Sequence, residues 1–350
     1  MLRTALIGLG RIGWQFHLPQ IIAHDGYGLC AVVDTSGQRL AEAYEQYGVR
    51  GYSDYKAMLA EQKPEVVVIA SPTIYHEEQA VEAMRAGADV ILDKPIAPGL
   101  DAARRIEQAG RQLGRKLVVY QPYRCVPDAT VARRVIQEGL LGDIFMIKRV
   151  STAYVRRNDW QAFQKFGGGM LNNYGAHFID QMLFLSGSRT RDVYCQLHTV
   201  ATLGDADDVV KVLIKTESGM TLDVEINEAT PFQFTELAIF GKCGSAVRTK
   251  DDVGNPVLRA QYFDPARLGE IEISEELAAK GRVYPHEQIP WQTKDYPLTA
   301  EDQIDYYARC YDFFANGAPS IVPVEETIHL MEVIDRCRRI AEQPNEGRLA

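Results

Sequence analysis

The sequence lacks the long apolar runs that cross membranes, and its strongly apolar segment Val66–Ala70 is far too short for a bilayer-spanning helix. A strand pattern already begins at Arg3, which leaves no room for a cleavable signal peptide. The six cysteines are scattered, with no Cys-x-x-Cys pair and no zinc-ligand spacing. Unpaired cysteines of this kind are typical of core positions in a reducing compartment. We therefore expect a soluble cytoplasmic protein without a membrane segment or a metal site.

An excess of positive charge is also absent. Lysine and arginine number 38 against 47 aspartates and glutamates, which gives a formal net charge of −9. This balance argues against nucleic acid as a partner, because nucleic-acid-binding domains carry a basic patch. The 46% of apolar residues is typical of a globular protein, and a length of 350 residues predicts about two domains.

A glycine turn stands near the start of the chain. The strand pattern Thr4–Ile7 runs directly into Gly8-Leu9-Gly10-Arg11-Ile12-Gly13, and a helical pattern follows from Trp14. In this context Gly-x-Gly-x-x-Gly indicates a dinucleotide site: the first glycine permits a tight turn, the second admits the pyrophosphate, and the third lets helix and strand pack closely. The alternative is an ordinary glycine-rich turn. We predict that residues 8–13 bind a dinucleotide at the N-terminus of the helix, where free N–H groups favour phosphate.

The second strand pattern, residues 28–33, ends at Asp34. An acidic residue about 20 positions beyond the glycine turn can accept hydrogen bonds from the adenosine ribose hydroxyls. Its charge would repel a 2′-phosphate, so Asp34 favours NAD. NADP stays open, because Ser36, Gln38 and Arg39 could accommodate a phosphate.

Polar residues also follow the next apolar strands. Val66–Ala70 leads into Ser71-Pro72-Thr73, with His76 in the first turn of the following helix, and residues 90–92 lead into Asp93-Lys94-Pro95. Ligands of open α/β sheets bind beyond the carboxyl ends of the strands, so Lys94 lies where chemistry is expected. His76 fits a surface or interface position, which the spacing alone favours, or a position lining the cofactor groove.

The pattern of elements divides the chain near residue 122. Strands and helices alternate over 1–122, which predicts a doubly wound parallel sheet, whereas 123–350 is rich in strands joined by short turns, which predicts an α+β domain with a large, mainly antiparallel sheet. Asp264–Pro297 looks irregular, and helices over about 300–342 are expected to pack across the junction.

One helix, Asp128–Glu138, is available to cover the sheet. We expect one sheet face to be buried in an oligomer, because apolar residues remain at Val209, Leu213, Leu222, Val224 and Ile226.

A second glycine motif precedes a candidate catalytic helix. Gly167-Gly168-Gly169 allows close backbone approach, as a wall against a flat ring or a sugar requires, and the apolar spacing predicts a helix from Met170 to about Leu185. Asn173 and His177 are four residues apart and so share a face, with Asp180 near them. A histidine in a helix is often structural, but in this setting a catalytic role is equally well supported.

Together these motifs resemble the glucose–fructose oxidoreductase / inositol dehydrogenase / MocA (Gfo/Idh/MocA) family over essentially the whole chain. The resemblance implies a Rossmann domain followed by a domain whose open antiparallel sheet serves oligomer contact, here as a homodimer or homotetramer. It implies NAD(P)-dependent oxidation of a hydroxyl, or reduction of a carbonyl, on a sugar, inositol or related polyol. It rests on motifs in the family's order and spacing, namely Gly8-x-Gly10-x-x-Gly13, Ser71-Pro72-Thr73-x-x-His76, Asp93-Lys94-Pro95, Arg124-x-x-Pro127 and Gly167-Gly168-Gly169…His177-x-x-Asp180.

The resemblance also implies residue roles. Lys94 matches the lysine that contacts the nicotinamide ribose and the substrate, with a cis peptide to Pro95, and His177 matches the histidine that exchanges the substrate proton. This sequence departs from the family by having Asp93 where Glu is commonest, Thr73 where Asn is common, and Asn173 where Asp is frequent. An amide cannot raise a histidine pKa as a carboxylate does. The mechanism in which a carboxylate assists His177 is therefore weakened, and we expect Lys94 to have a larger part in catalysis.

We therefore predict an oxidoreductase with Lys94 and His177 as catalytic residues and NAD, or alternatively NADP, as cofactor. Trp160 fits a substrate contact and a core anchor equally well. The alternatives are a dinucleotide-binding regulator without turnover and a reductase of a non-sugar carbonyl or imine. The predicted substrate-binding residues are Asn173, Arg124, Tyr123, Asp159, Trp160 and Tyr284. The predicted cofactor-binding residues are Gly8, Gly10, Arg11, Ile12, Gly13, Asp34, Ser71, Pro72, Thr73, His76, Asp93 and Lys94.

Overall fold

A computed structural model describes residues 1–270 and 288–342. The first sheet is built from short, strongly apolar segments, as expected for parallel strands covered on both faces. Its strands are β1 (Leu2–Ile7), β2 (Tyr27–Val33), β3 (Gly51–Tyr52), β4 (Val66–Ile69), β5 (Asp89–Asp93) and β6 (Leu117–Tyr120). Its helices are α1 (Leu18–Ala23), α2 (Gly37–Tyr47), α3 (Tyr55–Gln62), α4 (His76–Arg85) and α5 (Leu100–Leu113).

All neighbouring strands of this sheet are parallel, in the order β3-β2-β1-β4-β5-β6. This is the doubly wound order, and it confirms the predicted Rossmann sheet. The order reverses between β1 and β4, which opens a crevice beyond their carboxyl ends. The glycine turn follows β1 and Ser71-Pro72-Thr73 follows β4, so both motifs border this crevice.

The second sheet is mainly antiparallel, as predicted. Within the described residues it has the order β14-β13-β12-β11-β7-β10-β9-β8, with β7 and β10 as its parallel pair. Its strands are β7 (Ile144–Thr152), β8 (Thr190–His198), β9 (Val209–Thr216), β10 (Thr221–Asn227), β11 (Leu237–Gly241), β12 (Gly244–Lys250), β13 (Pro256–Tyr262) and β14 (Gln292–Pro297). The remaining helices of the described chain are α6 (Pro127–Glu138), α7 (Ala176–Ser186), α8 (Tyr306–Asn316) and α9 (Val324–Glu342).

The expectation that a single helix covers this sheet is wrong. Helix α6 contacts β13, α7 contacts β7 and β10, and α9 contacts β8, so three helices lie on the same face. Leu222, Val224 and Ile226 are buried on that face within the chain. No partner subunit is therefore needed to bury these three residues, and their apolar character no longer supports an oligomer.

Strand β14 lies in a segment that we expected to be irregular. Gln292-Thr293-Lys294-Asp295-Tyr296-Pro297 is polar and ends in proline, so it has no central-strand signal. Among residues 1–270 and 288–342 it pairs only with β13, at the edge of the sheet, where proline and charged side chains are tolerated.

Of the last two helices, α9 contacts strands of both sheets, β6 and β8, whereas the contacts of α8 are with the first sheet. Helix α8 packs on the first sheet, where the Tyr306 hydroxyl donates to the Val119 carbonyl at 2.6 Å and the Tyr27 hydroxyl donates to the Tyr307 carbonyl at 3.0 Å. Helix α9 contacts both α5 and β8. No helix in residues 1–270 or 288–342 is long and apolar enough to cross a bilayer.

Candidate active site

The glycine turn leaves room for a ligand at one of its three glycines. A Cβ on Gly8 would lie 2.7 Å from the Ala70 carbonyl carbon, and one on Gly13 would lie 1.9 Å from the Gly8 oxygen, so both glycines are required by packing. A Cβ on Gly10 would meet no atom within 4 Å. Gly10 therefore borders an open cradle at the start of the helix, which fits a pyrophosphate. Exposed Arg11 and half-buried Ile12 lie in the same turn.

Asp34 is fixed beside this turn. Its Oδ2 accepts from the Leu9 N–H at 2.8 Å, and its Oδ1 accepts from the Ser36 N–H at 2.9 Å. The Arg39 guanidinium lies 3.4 Å from Oδ2. These contacts hold the carboxylate at the edge of the cradle, in the position that would receive the ribose hydroxyls of a dinucleotide.

His76 is neither a surface residue nor a wall of the cofactor groove. It is only 1% exposed, and its ring nitrogens lie 3.0 Å from the Pro95 carbonyl oxygen and 2.9 Å from the Ser71 carbonyl oxygen. Burial lowers the pKa of His76. The histidine thus braces the two loops that follow β4 and β5, and its predicted contact with the cofactor is corrected to this indirect role. In the first of those loops Pro72 is exposed and Thr73 is buried.

Lys94 lies in the second of these loops, and its peptide to Pro95 is cis, as the resemblance implies. Its Nζ donates to the Asn173 Oδ1 at 2.9 Å and to the Asn173 carbonyl oxygen at 3.2 Å. Burial lowers the pKa of Lys94 to about 8, with Arg157 and Arg11 acting in the same direction and Asp93 opposing them. Lys94 is therefore a cation that loses its proton close to physiological pH.

Asp93 is buried behind Lys94. Its Oδ1 lies 3.9 Å from Nε2 of the fully buried His17. Burial acts to raise the pKa of Asp93, but His17 and Lys94 outweigh it and hold that pKa below the usual value. The direct cofactor contact of Asp93 stays a prediction, and its carboxylate favours the cationic form of Lys94.

His177 is oriented by a residue of the first sheet. Its Nδ1 lies 3.1 Å from the Gln121 Oε1, and its ring stacks on Tyr123 with centroids 4.5 Å apart and planes inclined by 25°. An amide oxygen only accepts, so Nδ1 carries the proton and Nε2 is left with its lone pair. Burial, reinforced by the Lys94 cation, lowers the pKa of His177 well below its usual value. At neutral pH the histidine is an uncharged proton acceptor.

The helix that carries these residues opens differently from the prediction. Leu171–Gly175 forms a π-helical turn, and α7 begins only at Ala176. Such wide turns are rare and occur frequently at functional sites. Asn173 lies in the π-helical turn and His177 in α7, so the two residues do not share one face of an α-helix. Asn173 contacts Lys94, whereas His177 contacts Gln121.

Arg124 is not available to bind substrate. Its guanidinium donates to both carboxylate oxygens of Asp180 at 2.7 Å and also to Glu326, and the side chain is 3% exposed. Burial opposes the charge on Arg124, but Asp180 and Glu326 raise its pKa above the usual value. Asp180 is thus also committed to this ion pair and does not orient His177.

Removal of Arg124 is expected to destabilise the fold and not to weaken substrate binding specifically. Arg124→Met would leave the Asp180 carboxylate buried without a partner, which costs about 3–5 kcal/mol of unfolding free energy. Urea unfolding measures this loss. Arg134→Met, which removes an exposed partner of Asp302, is the matched control with an expected cost of about 0–1 kcal/mol. Equal, small losses in both variants would contradict the assignment.

The loop before the second glycine motif carries two further predicted residues. Trp160 is 47% exposed, which excludes a role as a core anchor, and Asp159 caps the short helical turn by accepting from the Gln161 N–H at 3.0 Å. Tyr284 lies outside the described residues.

Gly168 and Gly169 of the second glycine motif serve packing within the protein, whereas a Cβ on Gly167 would meet no atom within 4 Å. A Cβ on Gly168 would lie 2.2 Å from the Gln161 carbonyl oxygen, and one on Gly169 would lie 2.2 Å from an Asp207 carboxylate oxygen. Gly169 has φ +100°, and Gly167 has φ +76°. Gly168 and Gly169 let two neighbouring loops close against the start of the π-helical turn.

Comparison with known families decides the relationship. The family model described as "Oxidoreductase family, NAD-binding Rossmann fold" matches residues 2–121, and the "GFO/IDH/MocA C-terminal domain" matches residues 130–247. The chain belongs to the Gfo/Idh/MocA family.

Curated members with named activities are similar at modest identity. The chain is 32% identical to D-glucoside 3-dehydrogenase of Escherichia coli K12 over 53% of this chain and 54% of that protein. It is 29% identical to inositol 2-dehydrogenase 2 of Saccharopolyspora erythraea over 64% of this chain and 66% of that protein. The first match spans about half the length of the relative.

Solved structures share the fold over almost the whole chain. An NAD-binding protein from Listeria innocua superposes with a TM-score of 0.81 at 23% identity, covering 97% of this chain and 95% of that one. The aldose-aldose oxidoreductase of Caulobacter crescentus gives a TM-score of 0.78 at 18% identity, covering 97% of each chain. At these identities the likeness concerns the fold alone.

Sequence reasoning missed three residues that this Gfo/Idh/MocA protein places around the candidate site. Gln121 directly follows β6. Its position at the carboxyl end of a parallel strand is the same signal that led us to predict Lys94, so Gln121 could have been predicted in the same way. Arg157 and Gln161 had no such signal, because they lie in an irregular loop and reach the site only through contacts made in the fold.

Proposed function

We propose that this protein is an oxidoreductase that moves hydride between a nicotinamide dinucleotide and a hydroxyl or carbonyl carbon of a sugar, inositol or related polyol. The proposal rests on one observation: Lys94, Asn173 and His177 lie close together at the carboxyl ends of the first sheet's strands, the same edge at which the glycine turn lies. The relatives named for a glucoside and for inositol support the substrate class.

The protein's own groups divide the chemistry between them. His177 presents the lone pair of Nε2 and accepts the hydroxyl proton as a general base. The Lys94 ammonium, held by Asn173, stabilises the alkoxide charge that develops on the substrate oxygen. When bound, the nicotinamide ring supplies or accepts the hydride. Tyr123, exposed Asp159 and exposed Trp160 are the proposed substrate contacts beside this pair.

NAD is the proposed cofactor, with tighter binding of NADH than of NADPH expected. The Asp34 carboxylate would repel a 2′-phosphate, and Arg39 already lies within 3.4 Å of that carboxylate. Titration of intrinsic tryptophan fluorescence with each reduced dinucleotide measures both dissociation constants. Clearly tighter NADPH binding would reverse the assignment.

A substrate panel tests the function itself. Purified protein is mixed with NAD or NADP and with sugars, inositols and hydroxy acids, and the change in nicotinamide absorbance is followed. Turnover of a sugar or cyclitol supports the proposal. Tight NADH binding without any turnover would favour a regulatory protein, and activity restricted to other carbonyl or imine compounds would favour a different reductase.

We also propose a homodimer or homotetramer formed through the open face of the second sheet. Tyr194 is 47% exposed there, opposite half-buried Leu213 on the neighbouring strand. The same face carries Lys211 paired with Asp223 and Glu225, so polar groups contribute to any contact. Light scattering of the purified protein distinguishes a monomer from these assemblies.

A further inference from the structure

Lys94 is connected to a second cation through two amide side chains. Lys94 Nζ donates to the Asn173 Oδ1 at 2.9 Å, the Asn173 Nδ2 donates to the Gln161 Oε1 at 3.2 Å, and an Arg157 guanidinium N–H donates to the same Gln161 oxygen. The string Arg157–Gln161–Asn173–Lys94 joins the loop after β7 to the loop after β5. None of its bonds is made by a carboxylate.

The chemistry of the end groups fixes the direction of every bond in this string. A guanidinium has donors and no acceptor, so Gln161 must turn its oxygen toward Arg157. That oxygen then accepts from Asn173, which must present its NH₂ group to Gln161. The Asn173 Oδ1 is then left for Lys94, which gives the lysine a second acceptor beside the Asn173 carbonyl oxygen. A carboxylate has two equivalent oxygens and needs no such control, whereas an amide does.

Arg157 is itself held in place on several sides. Its guanidinium lies 3.5 Å from the Asp159 carboxylate and 4.0 Å from the Glu228 carboxylate, and its carbonyl oxygen accepts from the Leu203 N–H at 2.9 Å. Its side chain is only 18% exposed. The cation therefore keeps a defined position at the end of the string.

We infer that Arg157 and Gln161 are positioning residues: they set the orientation of Asn173 so that its oxygen holds the Lys94 ammonium toward the substrate. Because the string of hydrogen bonds has a cation at each end, the Arg157 charge also disfavours the Lys94 ammonium. The charged groups that act on Lys94 are Asp93, which favours its cation, and Arg157 and Arg11, which disfavour it. His177, on the facing helix, is uncharged at neutral pH. This inference rests on the proposed function of Lys94 but concerns residues outside the reacting groups.

Arg157→Met tests the charge. Loss of the cation is expected to raise the pKa of Lys94, because the like charge that disfavoured the ammonium is gone. Competitive acetylation of amines with acetic anhydride at a series of pH values, read by peptide mass spectrometry, titrates Lys94 without any substrate. Arg156→Met removes the same charge from the exposed neighbouring position, where water screens it, and is expected to leave the titration of Lys94 unchanged. Coincident Lys94 titrations in the wild type and both variants would overturn the inference, even if the enzyme is active.

Gln161 tests the direction of the hydrogen bonds. Gln161→Glu keeps an acceptor for both Arg157 and Asn173, so kcat is expected to stay within about threefold of the wild type. Gln161→Met removes that acceptor, and kcat is expected to fall about tenfold at unchanged thermal stability. Equal activity of the two variants would contradict the positioning role. If the protein turns over no substrate, the proposed function fails, while the Lys94 titration still decides this inference.

Discussion

Lys94→Met is expected to lower kcat for hydride transfer by about 10²–10³-fold, the cost of removing one preorganised group that stabilises an oxyanion. The ammonium is held by two oxygens of Asn173 in the crevice beyond the first sheet, and methionine keeps the length of the chain without the charge. Single-turnover measurement of reduced nicotinamide formation reports the chemical step directly. Lys56→Met, which removes an exposed lysine on α3, is the matched control and is expected to behave as the wild type.

The pH dependence separates two possible roles of Lys94. Its lowered pKa of about 8 means that the ammonium is present below that pH and is lost above it. If the cation stabilises alkoxide, kcat for oxidation falls as the pH rises through about 8, and this limb disappears in Lys94→Met. A limb that rises through the same pH would show that neutral Lys94 takes the proton. A wild-type rate in Lys94→Met would contradict both roles.

His177→Gln is expected to lower kcat by about 10²–10⁴-fold, the usual contribution of a positioned general base. The glutamine retains a polar side chain beside Gln121 but has no basic nitrogen. Because the pKa of His177 lies well below its usual value, no activity limb from this residue is expected between pH 6.5 and the Lys94 limb. The Lys94 limb should persist in the residual activity of His177→Gln.

His329→Gln is a matched control for this variant. His329 is a buried histidine of α9 whose Nε2 lies 3.0 Å from the Thr190 hydroxyl, remote from Lys94 in the contacts it makes. Its replacement is expected to leave kcat near the wild-type value. An equal loss of activity in His177→Gln and His329→Gln would indicate general destabilisation of the protein and would contradict a catalytic role for His177.

The first sheet could be predicted because local signals and the fold agree there. Strands such as Val66–Ile69 are apolar on both faces, and the turns that follow them carry glycine, proline or a lysine at the strand end. Period and turn chemistry are short-range properties, so they are legible in the sequence. The edge strand β14 has neither signal and depends on pairing with β13, which only the fold supplies.

The candidate site was predicted in part for the same reason. Lys94 and His177 stand in recognisable motifs, but Gln121, Arg157 and Gln161, which surround them, do not. Arg124 looked like a substrate ligand because nothing in the sequence shows that Asp180, 56 residues away, neutralises it. Gln161 is joined to Lys94 only through Asn173, and such a chain of contacts across distant segments leaves no pattern in the sequence.

We propose that hydride passes between nicotinamide and the carbinol carbon of a polyol in the crevice that contains Lys94 and His177. Transfer of deuterium tests it most directly: a sugar or inositol deuterated at its carbinol carbons is incubated with the protein and NAD, and the reduced dinucleotide is analysed by mass spectrometry. Deuterium is expected in the dinucleotide with the wild-type protein, and its transfer is expected to be at least about 10²-fold slower in Lys94→Met and His177→Gln. Tight dinucleotide binding with no deuterium transferred from any member of the panel would contradict it.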